Sequence, residues 1–161
     1  MVFASFFVAV GFGIIAPIIP LFAKSFGVSN AQVGAIISAF ALARFASGLV
    51  SGKLVDKFGE RLVYTIGIAF VAVSSFAAAL AQTYEQLLIF RSAGGLGSSM
   101  FSVAAGSIVL RAVRDDQRAR AQSLYNGSFL IGMMAGPVIG GFLSAISLRA
   151  PLFVYAALLV V

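Results

Sequence analysis

The sequence predicts an all-α integral membrane bundle of five complete transmembrane helices plus the start of a sixth, and three observations carry that prediction. Hydrophobic residues make up 61% of the chain and charged ones 10%, with a mean hydropathy of +1.07, outside the range of an ordinary globular domain. The apolar stretches have the length that a hydrocarbon core about 30 Å thick requires, roughly 20 residues per helix. Almost all the charges fall in short turns between those stretches.

Cutting at each charged or turn-rich cluster places spans at about residues 3–22, 31–51, 62–81, 86–110 and 121–146, and a sixth starts at 150 and is still apolar at Val161. The chain is therefore expected to be a fragment of a longer protein. Its first apolar run has no charged leader and no small-residue cleavage site, and it is longer than a signal-peptide core, so it reads as a retained span. Pro17 and Pro20 follow Gly11 and Gly13 in that span. They remove backbone donors and favour a bend, either to line a cavity or to fit against neighbours.

The turn after helix two carries Lys53, Lys57 and Arg61, and the turn after helix four carries Arg111, Arg114, Arg118 and Arg120. The opposite turns hold only Lys24, no cation near Thr83, and Arg149. Short cytoplasmic loops collect Lys and Arg, so the N-terminus and both basic turns are expected in the cytoplasm. The net charge of +6 is thus read as topology, not as a nucleic-acid surface. With no cysteine and no histidine, disulfides, thiol nucleophiles, His-based metal sites and a Ser/His dyad are excluded. Neither an enzyme nor a cofactor protein is expected, and the scattered phenylalanines suit lipid contact and core packing.

Residues 52–64, GKLVDKFGERLVY, read as a short charged turn at the membrane surface. Gly48, Ser51 and Gly52 leave one face of the end of helix two nearly bare, so another backbone is expected to approach there. Asp56 is placed just past the helix end, within reach of Lys53, Lys57 and Arg61, and Gly59 gives the turn its backbone freedom. The turn is either a latch built on that carboxylate or a solvated hairpin. Arg44, about 12 Å into the membrane by helical rise from Gly52, is expected to face a cavity, where it could attract an anionic substrate or pair with an acid elsewhere. No acid lies inside any span. Arg91, about one and a half turns into helix four, either faces a polar cavity or snorkels to the outer interface. Asn126, with Tyr125 and Ser123, and Ser98, Ser99 and Ser102 are further cavity candidates, although such hydroxyls often bond their own helix. Gly132, Gly136 and Gly140 repeat at i+4 and make a smooth groove, with Pro137 permitting a bend.

Three segments also resemble the major facilitator superfamily. Gly52, Leu54, Asp56, Lys57, Gly59 and Arg61 resemble its signature between helices two and three, G-x-L-x-D-[RK]-x-G-[RK]-[RK], with Glu60 standing where the family usually has a cation. Residues 91–97, RSAGGLG, are similar to its R-x-x-x-G-x-G segment, and residues 132–141, GMMAGPVIGG, to its antiporter motif. The resemblance implies a major facilitator-type N-terminal helix bundle whose C-terminal half is absent. It implies a gate latch at Gly52, Asp56, Lys57, Gly59 and Arg61, with Glu60 weakening it or recruiting another cation. It implies proton coupling at Arg91 and a hinge at Gly132, Gly136, Pro137, Gly140 and Gly141. The expected function is export of a drug or small metabolite in exchange for protons, across a bacterial cytoplasmic membrane, by alternating access. A uniporter or symporter of the same superfamily, and a non-transporting sensor, assembly partner or inert fragment, are the rival readings. The expected partners are a small-molecule substrate, protons, the lipid bilayer and the missing half of the polypeptide.

Overall fold

A computed structural model describes residues 2–159. Seven α-helices and one turn of 3₁₀ helix, Asp115–Gln117, account for nearly all of them: α1 Val2–Lys24, α2 Asn30–Ala46, α3 Gly48–Phe58, α4 Glu60–Ala79, α5 Tyr84–Arg111, α6 Arg118–Ile146 and α7 Ala150–Leu158. Three helical segments, Glu60–Ala79, Tyr84–Arg111 and Asp115–Ile146, are long and apolar enough to cross a membrane, and α2 with α3 qualifies as one span bent by 42°. Among the described residues, length and composition thus mark three spans, or four with the bent pair, where the sequence led us to expect five.

Two element boundaries differ from the sequence reading. The helix expected over 31–51 breaks at Ser47, whose hydroxyl donates to the carbonyls of Ala43 (2.7 Å) and Arg44 (3.2 Å). A serine hydroxyl competing for the helix's own carbonyls, followed by a glycine, is a recognised cause of bending. Past that bend the helix runs on to Phe58, so residues 52–64 are not a turn: only Gly59 separates α3 from α4. Gly59 has φ 83° and ψ 152°, a conformation that glycine adopts without a Cβ clash. Asp56 accordingly lies in the last turn of α3 and not beyond it.

At the other ends the starts are capped as the sequence chemistry requires. Ser29 and Gln32 form a reciprocal capping box at α2, and Thr83 accepts the Gln86 N–H at α5. Arg149, just before α7, donates to the Ala81 carbonyl at 3.0 Å and so satisfies a backbone acceptor beyond the end of α4.

Helix packing within a membrane depends on close van der Waals fit, which small residues permit. The α5 helix is held between two neighbours by adjacent glycines that point in different directions. A Cβ on Gly95 would lie 2.5 Å from the Phe40 carbonyl oxygen of α2, and one on Gly97 would lie 2.7 Å from the Gly67 carbonyl oxygen of α4. Ile14, Ile15 and Ile18 of α1, Leu87 of α5 and Leu152 of α7 fill the fully buried interior. By contrast α6 turns Ile131, Met134, Val138, Phe142 and Ile146 outward.

Candidate functional site: a cationic cavity and an inter-helix ion pair

Arg44 sits on α2 three residues before the bend, and its Nη2 donates to Ser102 Oγ of α5 at 3.0 Å. The Ser102 hydroxyl in turn donates to the Ser98 carbonyl at 2.8 Å, which fixes its lone pairs toward the guanidinium. One turn further along the same seam, Ser51 of α3 donates to the Ser47 carbonyl at 2.8 Å and lies 3.1 Å from Ser99 Oγ, with both serines buried. Arg44 lines an open cavity of about 870 Å³ whose other walls include Phe12, Phe40, Phe45, Ser99 and Ser102. It also borders a cleft of about 20 Å³ with Ser98 and Tyr155, room for about one water. Ser99 and Ser102 line the larger cavity and Ser98 and Ser102 the cleft, while the hydroxyls of Ser51 and Ser102 also bond their own helix backbone.

Arg91 is 7% exposed and does not snorkel to an interface. Its guanidinium carbon lies 4.4 Å from the centre of the Phe40 ring, and its charge reaches Tyr155 of α7. A cation over an aromatic face in a desolvated site is worth about 2 kcal/mol, which offsets part of the burial. Among the described residues no carboxylate is within ion-pair distance of Arg91 or Arg44.

Tyr155 was missed in the sequence. It is 2% exposed, it is within electrostatic range of both Arg91 and Arg44, and its ring fills the place where a Cβ on Gly11 would be. Gly11 therefore admits the α7 tyrosine to the cavity wall, a role that its reading as a bend-former did not contain. A tyrosine in a short C-terminal apolar run carries no local signal of this, because the contact joins α1 to α7.

At the α3–α4 junction, the predicted latch residues form no ion pair with one another among the described residues. Asp56, Lys57 and Arg61 are exposed, and Asp56 makes no ion pair among the described residues. Lys57 lies over the Phe58 ring at 5.2 Å. Gly52 has nothing within 4 Å of an added Cβ, so the close backbone approach expected there does not occur within this chain. Glu60, the departure from the family pattern, has recruited a cation from another helix: its Oε2 lies 3.3 Å from Arg111 Nη1 at the end of α5.

The α6 glycines meet α1. A Cβ on Gly132 would lie 2.7 Å from the Phe6 carbonyl oxygen, one on Gly136 would overlap the backbone of Gly13, and one on Gly140 would lie 2.7 Å from the Ile14 carbonyl oxygen. Gly141 points into open space and Pro137 is exposed on the opposite face, inside a helix that is continuous from Arg118 to Ile146. Asn126 does not join the Arg44 cavity. It is exposed on α6, where its Oδ1 accepts from Gln122 Nε2 at 3.2 Å, because one helical turn separates these two polar side chains and they satisfy each other locally.

A bundle of long apolar helices closed by glycine seams, with one arginine buried and another half-buried, fits a polytopic membrane protein. The family model for the Major Facilitator Superfamily matches residues 1–161, and the chain belongs to that superfamily. It is similar to the quinolone resistance protein NorA of Staphylococcus aureus (strain MRSA252), 28% identical over 156 residues, which is 97% of this chain and 40% of that protein. It is also similar to multidrug resistance protein 1 of Bacillus subtilis (strain 168), 28% identical over 152 residues, covering 94% of this chain and 39% of the relative. The chain thus spans about 40% of the length of the curated relatives it matches.

Proposed function

We propose that this chain is the N-terminal part of a secondary exporter of small molecules in a bacterial cytoplasmic membrane, working by alternating access in exchange for protons. The observation that carries this reading is the family match over all 161 residues, joined to the likeness to two resistance proteins along almost the whole chain. On this reading the helices form five complete spans and the start of a sixth, with the N-terminus cytoplasmic, as the distribution of Lys and Arg favours. Transport needs the complementary half that the 40% coverage of the relatives implies, and the chain acts as a carrier and not as an enzyme.

The parts then take these roles. The small-molecule substrate enters the cavity at Arg44. Arg91, buried without a carboxylate among the described residues, holds a charge whose balance changes when a proton arrives on a nearby acid of the complementary half. Asp56, exposed and unpaired within the described residues at the end of α3, is free to meet a helix N-terminus of that half, with Gly52, Lys57, Gly59 and Arg61 around it. The seam of Gly132, Gly136 and Gly140 on α1 is a backbone-on-backbone contact, and with Pro137 and Gly141 it serves as the hinge on which α6 rocks.

The test is flux. Residues 1–161 joined to the C-terminal half, reconstituted in vesicles with an imposed pH gradient, are expected to move a quinolone against its gradient. Arg91→Ala is expected to reduce that movement at least tenfold while leaving downhill quinolone exchange measurable, and residues 1–161 alone are expected to carry none. Flux indifferent to both the pH gradient and Arg91→Ala overturns the exchange mechanism, and flux from residues 1–161 alone overturns the need for a second half.

A further inference from the structure

We infer that Arg44, oriented by Ser102, is an anion-binding subsite and that the cavity it lines takes amphipathic organic anions, a carboxylate or sulfonate carried on an aromatic body. The inference rests on the cavity reading proposed above and adds the chemical class of its occupant.

Charge comes first. The chain has five acidic residues, Asp56, Glu60, Glu85, Asp115 and Asp116, and every one lies at a helix end or in a connection. Arg44 is the midpoint of the helical unit 30–58, about 21 Å by helical rise from either end, so its charge cannot reach water by stretching toward an interface. It is half-buried at the midpoint of that unit, and among the described residues its hydrogen-bond partner is one neutral hydroxyl. A guanidinium carries five N–H donors in a planar fork that matches the two oxygens of a carboxylate or sulfonate. Ser102 takes one of these donors and its own proton is committed to the Ser98 carbonyl, so the hydroxyl steers the fork without neutralising it.

Shape comes second. The cavity of about 870 Å³ is within the range of pockets that enclose drug-sized molecules. Phe12, Phe40 and Phe45 line it beside Arg44, with Ser99 and Ser102 supplying hydroxyls. Rings of a ligand can lie against these aromatic walls while its anionic end meets the guanidinium. An organic cation of the same shape meets Arg44 with no carboxylate from the described residues to offset the repulsion.

The experiment uses two probes of nearly equal shape, anilinonaphthalene sulfonate and uncharged phenylnaphthylamine, titrated by fluorescence onto the purified full chain in phosphatidylcholine nanodiscs, with empty nanodiscs subtracted. Saturable sulfonate binding is expected, weakened at least about tenfold by Arg44→Gln, with phenylnaphthylamine affinity changed less than twofold. Arg44→Lys is expected to fall between, because it keeps the charge and loses the fork. Ser102→Ala is expected to weaken the sulfonate about threefold, with Ser102→Thr restoring it. Retained phenylnaphthylamine binding shows that each variant still holds its cavity. Unchanged sulfonate affinity in Arg44→Gln, or equal loss of both probes, overturns the inference. Because binding needs no flux, charge-selective binding by a protein that fails the vesicle assay would leave this subsite standing and remove only the exporter reading.

Discussion

Two helix seams in this bundle meet at glycine and differ in what surrounds the contact. Between α1 and α6 the meeting is backbone on backbone, with Gly13 against Gly136 and with Gly132 and Gly140 one turn to either side. Between α5 and the α2–α3 unit, Gly95 again brings backbones together, but arginine and serines line the same seam: Arg44 to Ser102, and Ser51 to Ser99. The close glycine contacts of the first seam draw their energy from many weak van der Waals contacts that change gradually with position. The second contains directional bonds that hold only in one register. The difference suggests a division of labour in which one seam can shift and the other keeps the cavity residues in place.

The comparison can be broken first at its tightest point. Gly136→Leu is expected to force α1 from α6 and to lower stability by about 3 kcal/mol or more, with the melting midpoint in detergent read by circular dichroism. Gly141→Ala on the same helix, with open space around it, is expected to leave that midpoint unchanged or raise it slightly. Equal losses in the two variants would mean that the glycines matter for helix flexibility and not for contact.

The polar seam should respond less. Ser51→Ala removes its hydrogen bond to Ser99, and interhelical bonds of this kind average about 0.6 kcal/mol in membranes. A double-mutant cycle with Ser99→Ala should return a coupling near that value. Coupling indistinguishable from zero would leave the seam without the register-keeping role given to it here.

The smallest effect is expected at the ion pair between α4 and α5. Arg111 is 64% exposed in its pair with Glu60, and such pairs are worth about 1 kcal/mol or less after solvent screening. Glu60→Gln should shift the melting midpoint only slightly, and the shift should disappear in molar salt. A large, salt-independent loss would show that the pair does more than tie α4 to α5.

Much of this was legible because it is periodic. The α6 groove was visible as glycines at i+4, and Arg44 was visible as a charge deep in its span, whereas Arg91 stood close enough to the outer interface that its burial was not decided by the sequence. What the sequence could not reveal is which helix meets which. Gly11 and Gly13 stood beside Pro17 and Pro20 and read as bend-formers, yet they are the contact points for Tyr155 and Gly136. Gly52 had the same local pattern as a packing glycine and faces open space, because no element of the described chain lies opposite it. Asn126 looked like a cavity residue, but helical periodicity alone does not say which face of α6 meets α1. The charged stretch at 52–64 misled for another reason: turn-forming composition marked a surface position correctly, while lysine, leucine, valine and glutamate are all adequate helix residues and continue the helices up to a single glycine.

That single glycine sets a mechanical condition on the junction of α3 and α4. Neighbouring Cα atoms are 3.8 Å apart, so the Gly59 joint gives the ends of α3 and α4 about two such steps of separation and no slack to spool out. Gly59 can act as a pivot, but it cannot act as a tether. A displacement of the α3 tip therefore arrives at α4 as a push or a pull, at the helix end where Glu60 faces Arg111 of α5.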